Sequence, residues 1–263
     1  MKSFMIKGVL LSAALLAANG LSAGDKDKSP ADKMETKVVD SGSFGIYVDG
    51  KRIGTETFKI EQRPDYNIAT AEVKVDDGKT KAEQTAEMQF SPNGDLHSYV
   101  WRATLPQKEE SSVEPHNDLL VEHIAPTDQK KVDVPHMLPL STVILDDNFF
   151  SQRQVLFFRY LATACKRQGN DLICGPGNYL ILVPRQHAAT NAVMEFVGPE
   201  KVTVKGIEKQ LNKVILKTGG PTRAVVLNDQ KESEAGQWLL WVDDQYKVIK
   251  MAVPGINVEI VRD

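Results

Sequence analysis

Hydrophobic and polar residues alternate along most of this chain with a period of two, the pattern of β-strands that have one buried face. The first clear example runs from Phe44 to Val48 and leads into Asp49-Gly50, a dipeptide that favours a hairpin turn. The same alternation recurs at 53–61, 68–75, 80–90, 97–105, 179–183, 191–197, 207–217, 223–227, 237–242, 249–253 and 256–260. The pattern therefore predicts a mainly β, antiparallel protein.

The alternation is interrupted between residues 106 and 140, where the chain is polar and rich in proline. Proline removes a backbone hydrogen-bond donor and is confined to strand edges, ends and bulges. We therefore expect only short strands in this segment, the best candidate being 119–124.

A helical period follows the proline-rich segment. Phe150, Phe157, Phe158 and Leu161 are separated by offsets that return to one face of an α-helix. They predict an amphipathic helix over residues 149–166, whose aromatic stripe faces the concave side of the sheet.

The ends and the other face of this helix can also be predicted. Asp147, Asn148 and Ser151 are the candidates for the N-terminal cap. Arg153 and Arg159 lie off the aromatic stripe, so we expect both side chains to reach solvent.

A sheet of this size usually curls or closes. We therefore predict a strongly curved antiparallel sheet or open barrel of about ten to twelve strands with one covering amphipathic helix. It forms a single β-rich domain over residues 38–263, long enough to bury a substantial core.

The residues before this domain have a different character. Residues 1–23 have a basic start, a short apolar stretch and small residues before Ala23, the pattern of a cleavable signal peptide. The apolar stretch is shorter than a membrane-spanning helix. Residues 24–37 are charged and poor in large apolar side chains, which predicts a disordered tail.

Charge and hydropathy restrict the location and partners of the mature chain. Removing the two lysines of the signal peptide from a net charge of −3 leaves −5, which argues against nucleic acid as a partner. No later segment is apolar enough to span a bilayer, and no cysteine near Ala23 offers a site for lipid attachment. We expect a periplasmic or secreted protein without a transmembrane segment.

The chain contains two cysteines, Cys165 and Cys174. An exported protein meets an oxidising compartment, so a structural disulfide closing this short loop is expected. The alternative is a redox-active pair, but such motifs favour two intervening residues, and here there are eight.

Both ends of the β-rich domain resemble known sequences. Residues 44–54 (FGIYVDGKRIG) and 241–254, together with Val258 to Arg262, are similar to uncharacterised exported bacterial families, catalogued as domains of unknown function. Such families resemble the curved half-barrel of the periplasmic lipoprotein carriers, which shelter acyl chains in an apolar concavity. The resemblance implies a carrier-like fold and, by analogy only, a lipid ligand.

Motifs for catalysis are weak. Asp40-Ser41-Gly42 matches the active-site loop of aspartic proteases, but the chemistry needs two such aspartates and the chain has one such motif. At the edge of the domain these are ordinary turn residues. His187 has no nucleophile elbow to support it, so we assign no catalytic residue.

Motifs for metal binding are equally weak. The densest group of potential ligands is Glu114, His116, Asp118, Glu122 and His123, whose spacing matches no established site. We assign no metal and no cofactor.

Several aromatic residues lie on the predicted strands and helix. They either pack a solid core or line a ligand pocket. The candidate ligand-lining residues are Tyr47, Phe58, Trp101, Phe150, Phe157, Phe158, Trp238 and Trp241.

Three functions remain open. The leading hypothesis is a non-enzymatic binding or carrier module for an apolar or amphipathic ligand such as a lipid. The alternatives are a packed structural domain that meets an envelope protein partner, and an unrecognised hydrolase. A continuous apolar cavity would favour the first of these over the second.

Overall fold

β-strands form most of the computed structural model, which describes residues 36–126, 130–169, 171–219, 222–226, 229–233 and 236–263. The signal peptide predicted at 1–23 and the tail predicted at 24–37 lie outside this range, except for the last two tail residues. Lys37 already belongs to the first strand. None of the helices in the described ranges is long and apolar enough to cross a membrane.

The elements before the helix are β1 (Lys37–Val48), β2 (Lys51–Gln62), β3 (Asn67–Asp76), β4 (Lys81–Phe90), β5 (Leu96–Leu105), β6 (Glu109–His116), β7 (Leu119–Pro126), β8 (Val132–His136) and β9 (Val143–Ile144). Helix α1 (Ser151–Ala164) follows. The later elements are β10 (Cys165–Gln168), β11 (Asp171–Cys174), β12 (Gly177–Val183), a 3₁₀ turn (Pro184–Gln186), β13 (Ala188–Val204), β14 (Ile207–Thr218), β15 (Thr222–Val226), β16 (Asp229–Ser233), β17 (Gln237–Val242), β18 (Val248–Val253) and β19 (Val258–Arg262).

Fifteen of these strands form one sheet, in the order β8-β7-β6-β5-β4-β3-β2-β1-β19-β18-β17-β14-β13-β12-β9. All neighbours are antiparallel except β9 and β12, which run parallel. The predicted ten to twelve strands were too few, although the mainly β class, the antiparallel pairing and the helix are confirmed. β10–β11 and β15–β16 form separate two-stranded ribbons.

The extra strands come mostly from the proline-rich segment, for which we predicted little structure. β6 and β7 turn polar side chains inward: Ser111 and Glu122 are buried, and the Ser111 hydroxyl donates to Glu122 over 3.3 Å. Two inward polar residues that satisfy each other remove the hydrophobic alternation. This pairing explains why β6 was not predicted, whereas the strand predicted at 119–124 is confirmed as β7.

The sheet is open, since β8 and β9 lie at opposite ends of the strand order. Side chains nevertheless join its two halves. Gln84 on β4 accepts a hydrogen bond from Arg185 beyond β12 (2.8 Å), and Tyr99 on β5 donates to Asp146 beyond β9 (2.6 Å). The sheet therefore curls around a shared interior.

The main core lies on the concave face and includes Phe150, directly before the helix, and Phe157 within it, both of which are buried. A smaller cluster of Val204, Leu211, Trp241 and Val261 lies apart from it. Because successive strand residues point to opposite faces, Trp241 lies on the face opposite Trp238 of the main core.

Helix α1 begins at Ser151 and ends at Ala164, inside the predicted limits of 149 and 166. Phe158 and Leu161 are only half-buried. The prediction that Arg153 reaches solvent was wrong, because its side chain is 2 % exposed. The first turn of the helix lies within the interior, so every one of its faces is covered.

A disulfide joins Cys165 and Cys174, as the sequence predicts. The two residues face each other in the β10–β11 ribbon directly after the helix. The Gly175 N–H also donates to the carbonyl of Ala164, the last helical residue. The cross-link therefore closes the ribbon at the point where the helix ends.

Candidate functional site

The start of helix α1 is held by a carboxylate from a distant strand. Glu56 on β2 accepts hydrogen bonds from the backbone N–H groups of Phe150 (2.8 Å) and Ser151 (3.0 Å), and from the Ser151 hydroxyl (2.5 Å). A helix N-terminus leaves backbone donors unsatisfied and favours negative charge. Glu56 thus caps the helix, a role that the sequence assigned to Asp147, Asn148 or Ser151.

Glu56 is fully buried. Burial raises its pKa to about 7, although the hydrogen bonds from Ser151 and Phe150 act in the opposite direction. Ser151 is itself only 3 % exposed. This serine–carboxylate pair therefore anchors a helix and is not open to a substrate.

A second buried carboxylate, Asp146, lies just before the helix. It accepts hydrogen bonds from Tyr99 (2.6 Å) and from Nε of Arg185 (2.7 Å), and it contacts Nη2 of the same arginine. Its backbone N–H donates to the Gln152 side chain. This arrangement links β5, the helix entry and the 3₁₀ turn, so it fixes the chain on both sides of the interior.

Arg153 is the most deeply buried cation near the helix. Its Cζ lies 4.0 Å from the centroid of the Trp238 ring and 5.6 Å from that of Phe150. Burial lowers its pKa to about 10, while the charges of Asp147 and Glu56 act in the opposite direction. The aromatic faces and these carboxylates compensate for the lost hydration of the guanidinium.

A cavity of about 610 Å³ lies between helix α1 and the concave face of the sheet, and we call it the helix cavity. Its apolar lining consists of Val39, Ile60, Met88, Phe90, Pro92, Leu96, Val143, Ile144, Val155, Leu156, Phe158 and Ala162. The remaining lining residues are Gln62, Asn67, Asn93, Gly94, Thr142, Arg159 and Thr163. Its volume falls within the range of roughly 300–1,000 Å³ that is typical of ligand sites.

A second hollow, of about 860 Å³, differs in chemistry. It follows β1 to β5, and Lys59, Glu72, Glu87 and Arg102 are among its lining residues. Charged side chains of both signs make this surface suited to water. The helix cavity is therefore the better candidate for an apolar ligand.

The aromatic residues predicted to line a ligand site are dispersed. Phe158 lines the helix cavity. The other helix-side and core members, Phe58, Trp101, Phe150, Phe157 and Trp238, are buried in the main core. Tyr47 and Trp241 belong to the smaller cluster, where the Trp241 indole donates to Glu200 over 2.6 Å. Contact between any of the eight and a ligand stays a prediction.

The residues of the weak metal motif separate onto different faces. Glu122 points inward and is fully buried, while His123 is partly exposed and its Nδ1 lies 2.8 Å from Oδ1 of Asp133. Glu122 instead contacts His136 (3.1 Å) and His187 (3.0 Å). In the part of the chain that the structure describes, no group of three or more histidine, cysteine or acidic residues is arranged to hold a metal ion.

Asp40, the aspartate of the protease-like motif, lies within β1 and not in the expected turn. It is 2 % exposed and receives two hydrogen bonds from Arg262, at 2.6 and 3.2 Å. This ion pair ties the first strand to the last one, which gives Asp40 a structural role.

Part of the helix cavity could have been found from the sequence. Ile60, Met88 and Phe90 occupy alternating positions that the pattern already places on the buried faces of their strands. Val143 and Ile144 follow the proline-rich segment and carry no such signal. Their place opposite β12 depends on a pairing between residues far apart in the chain.

The chain is similar to few known proteins. No family model and no curated protein matches the chain. Among solved structures, this chain is similar to a β-barrel-like protein of the domain of unknown function DUF1849 from Brucella abortus, whose crystal structure is known. The two structures superimpose with a TM-score of 0.49 and share 7 % sequence identity. The aligned region covers 85 % of this chain and 94 % of the other chain.

Proposed function

We propose that this protein is a non-enzymatic binding or carrier module of the cell envelope, which holds an apolar or amphipathic ligand in the helix cavity. The observation that carries the proposal is the cavity of about 610 Å³ with its mostly apolar lining. A solid interior would have favoured the packed structural domain instead.

The chemistry of the cavity wall supports a flexible hydrocarbon ligand. Ile60, Met88 and Leu156 are buried side chains that offer dispersion contacts without hydrogen-bonding groups. Each methylene of a ligand that leaves water for such a site contributes about 0.8 kcal/mol. Binding of this kind depends on chain length more than on shape.

The way in which the helix is held supports a carrier role. Its first turn is anchored by Glu56, whereas Phe158 and Ala162 further along line the cavity and are half-buried and exposed, respectively. One end of the cavity wall is therefore fixed and the other borders solvent. A ligand can enter at this border without unfolding of the core.

The envelope location is supported by the predicted signal peptide at 1–23 and by the Cys165–Cys174 disulfide. Disulfides persist in oxidising compartments such as the periplasm or the extracellular medium. The location and the lipid ligand together form one proposal, which a single experiment tests.

The experiment is native mass spectrometry of the protein isolated from the envelope fraction of its host. We expect a chain that begins near Gly24 and carries additional mass, which is released as lipid on denaturation. Ala162→Trp should reduce the bound lipid, because the indole fills the rim of the cavity. Ala188→Trp, an exposed position on β13 outside the cavity, is the matched control.

Two results would contradict the proposal. A native mass equal to that of the bare chain would show that no ligand is retained, and the packed structural domain would then be favoured. A chain that keeps Met1 and stays in the cytoplasm would show that the envelope location is wrong.

A further inference from the structure

Among the residues that the structure describes, the wall of the helix cavity contains one charged residue, Arg159, and no acidic residue. The other described lining side chains are apolar or neutral. An apolar cavity with a single fixed cation is complementary to an amphipathic ligand that has an apolar chain and one anionic head.

The position of Arg159 is fixed by backbone contacts. Its Nη1 donates to the carbonyl oxygens of Gly94 and Ser141, both at 3.0 Å. Gly94 has a φ of +89°, and a Cβ built there would lie 3.1 Å from the Cδ, Nε and Cζ atoms of the arginine. A glycine at this turn therefore allows the Arg159 side chain to lie against it.

The charge of Arg159 lacks a carboxylate partner within the described residues. In the described part of the chain, its guanidinium contacts the two carbonyl oxygens and lies 5.8 Å from the centroid of the Tyr179 ring, and its buried Nε has no hydrogen-bond partner there. Arg185 and Arg262, by contrast, form ion pairs with Asp146 and Asp40. Arginine on an apolar wall without a counterion is a suitable partner for a carboxylate or phosphate.

We infer that the ligand of the helix cavity is a single-chain acyl amphiphile with an anionic head, either carboxylate or phosphate, that pairs with Arg159. The acyl chain lies against Ile60, Met88 and Leu156. This inference rests on the proposed function and adds to it the charge of the ligand and the residue that recognises it.

The test compares three probes with the same hydrocarbon chain: laurate, lauryl phosphate and lauryl alcohol. Binding to delipidated protein is measured by titration calorimetry for the wild type, Arg159→Gln and Arg159→Lys. Arg102→Gln, which removes a cation from the outer hollow, is the matched control. Thermal melting of each variant measures how much stability is lost with the hydrogen bonds from Arg159 to the carbonyl oxygens of Gly94 and Ser141.

We expect the wild type to bind laurate or lauryl phosphate more tightly than the alcohol, and the tighter of the two identifies the head group. Arg159→Gln should weaken binding of the anionic probe by about tenfold to a hundredfold, the usual range for a charge-assisted hydrogen bond. Its affinity for the alcohol should be unchanged. Arg159→Lys should retain part of the preference, and Arg102→Gln all of it.

Equal affinity of the wild type for the anionic and neutral probes would overturn the inference and leave the proposed function intact. Equal weakening of all probes by Arg159→Gln would also overturn it, since Arg159 would then act through packing alone. Failure of all three probes to bind would contradict the proposed function itself.

Discussion

Glu56 and Arg153 place two charges inside a β-rich interior. Each is compensated locally: Glu56 by the N–H groups at the start of the helix, and Arg153 by the face of Trp238 and nearby carboxylates. Burying either charge without such partners would cost several kcal/mol. A displaced first helical turn would leave both charges without these partners, so the two residues fix the position of that turn.

Because the pKa of Glu56 is raised in the folded protein, we predict that ionisation of this residue lowers the free energy of unfolding as pH increases. Its pKa is 4.5 in the unfolded chain and about 7 in the folded protein. The folded state thus holds the proton more tightly, so the stability from this group is fully present below pH 4.5. It is lost as pH rises to about 7, by about 3 kcal/mol at most.

Urea denaturation at about pH 5 and about pH 8 checks this prediction. Glu56→Gln keeps a hydrogen-bond acceptor but cannot ionise, so its stability should change less between the two pH values than that of the wild type. Glu72→Gln, at an exposed position, should behave like the wild type. The same pH dependence in Glu56→Gln and the wild type would show that another group is responsible.

Phe157 and Phe158 are neighbours with different surroundings. Phe157 is fully buried in the main core, whereas Phe158 borders the helix cavity. Phe157→Ala should cost about 3–5 kcal/mol through lost burial and a new void. Phe158→Ala should cost less, because a void is already present there, and should reduce ligand retention. Denaturation and native mass spectrometry measure the two effects, and equal loss of stability in both variants would be evidence against the cavity.

At the scale of elements, helix α1 is held at its start by a strand distant in sequence and at its end by the ribbon that directly follows it. β2 supplies the cap at its start, and the β10–β11 ribbon follows its end. Near that end the Tyr160 hydroxyl donates to the carbonyl of Gly175 and accepts from the N–H of Phe196 on β13. The middle of the helix is thereby held over the sheet and forms one wall of the cavity.

Removing the disulfide should weaken this attachment without abolishing the fold. The Cys165→Ala/Cys174→Ala variant loses a cross-link across nine positions of sequence. The loop-entropy relation predicts a loss of about 2.5 kcal/mol. Chemical denaturation should show the loss, with circular dichroism like that of the wild type. Wild-type protein under strong reduction is the control and should match the variant, while loss of the folded signal would show that the ribbon is essential.

At the scale of the whole molecule, the two ends of the domain meet in the middle of the sheet. β19, the last strand, lies between β1 and β18 and pairs with both. Arg262 on β19 also pairs with the buried Asp40 on β1. The strands from β1 to β8 are therefore connected to the remaining strands through the final residues of the chain.

Deleting residues 258–263 should abolish cooperative folding, because it separates the sheet into two parts and exposes an edge on each. Gel filtration and thermal melting would show aggregation and the absence of a single transition. Deleting Asp263 alone is the control: its ion pair with Arg52 is partly exposed, and such pairs contribute at most about 1 kcal/mol. A soluble, cooperatively melting truncated protein would contradict this view of the sheet.

Local patterns in the sequence were sufficient for the strands with regular alternation, for the turn at Asp49-Gly50, for the helix and for the disulfide. Each depends on residues close together in the chain, where side-chain period and turn chemistry act directly. The strand count failed at β6, where the inward-facing Ser111 is polar and its hydrogen bond to Glu122 replaces the apolar signal.

Only the tertiary structure decided where the helix begins, which charges are buried and where the cavity lies. Glu56 caps the helix through Ser151, which lies 95 positions away in the sequence, and no pattern of neighbouring residues predicts this contact. The helical period places Arg153 on a solvent face, but in the folded protein that side of the first turn is buried. The cavity exists because strands β1 to β5 and β9 meet the helix without filling the space beneath it, and such a balance depends on how whole elements pack.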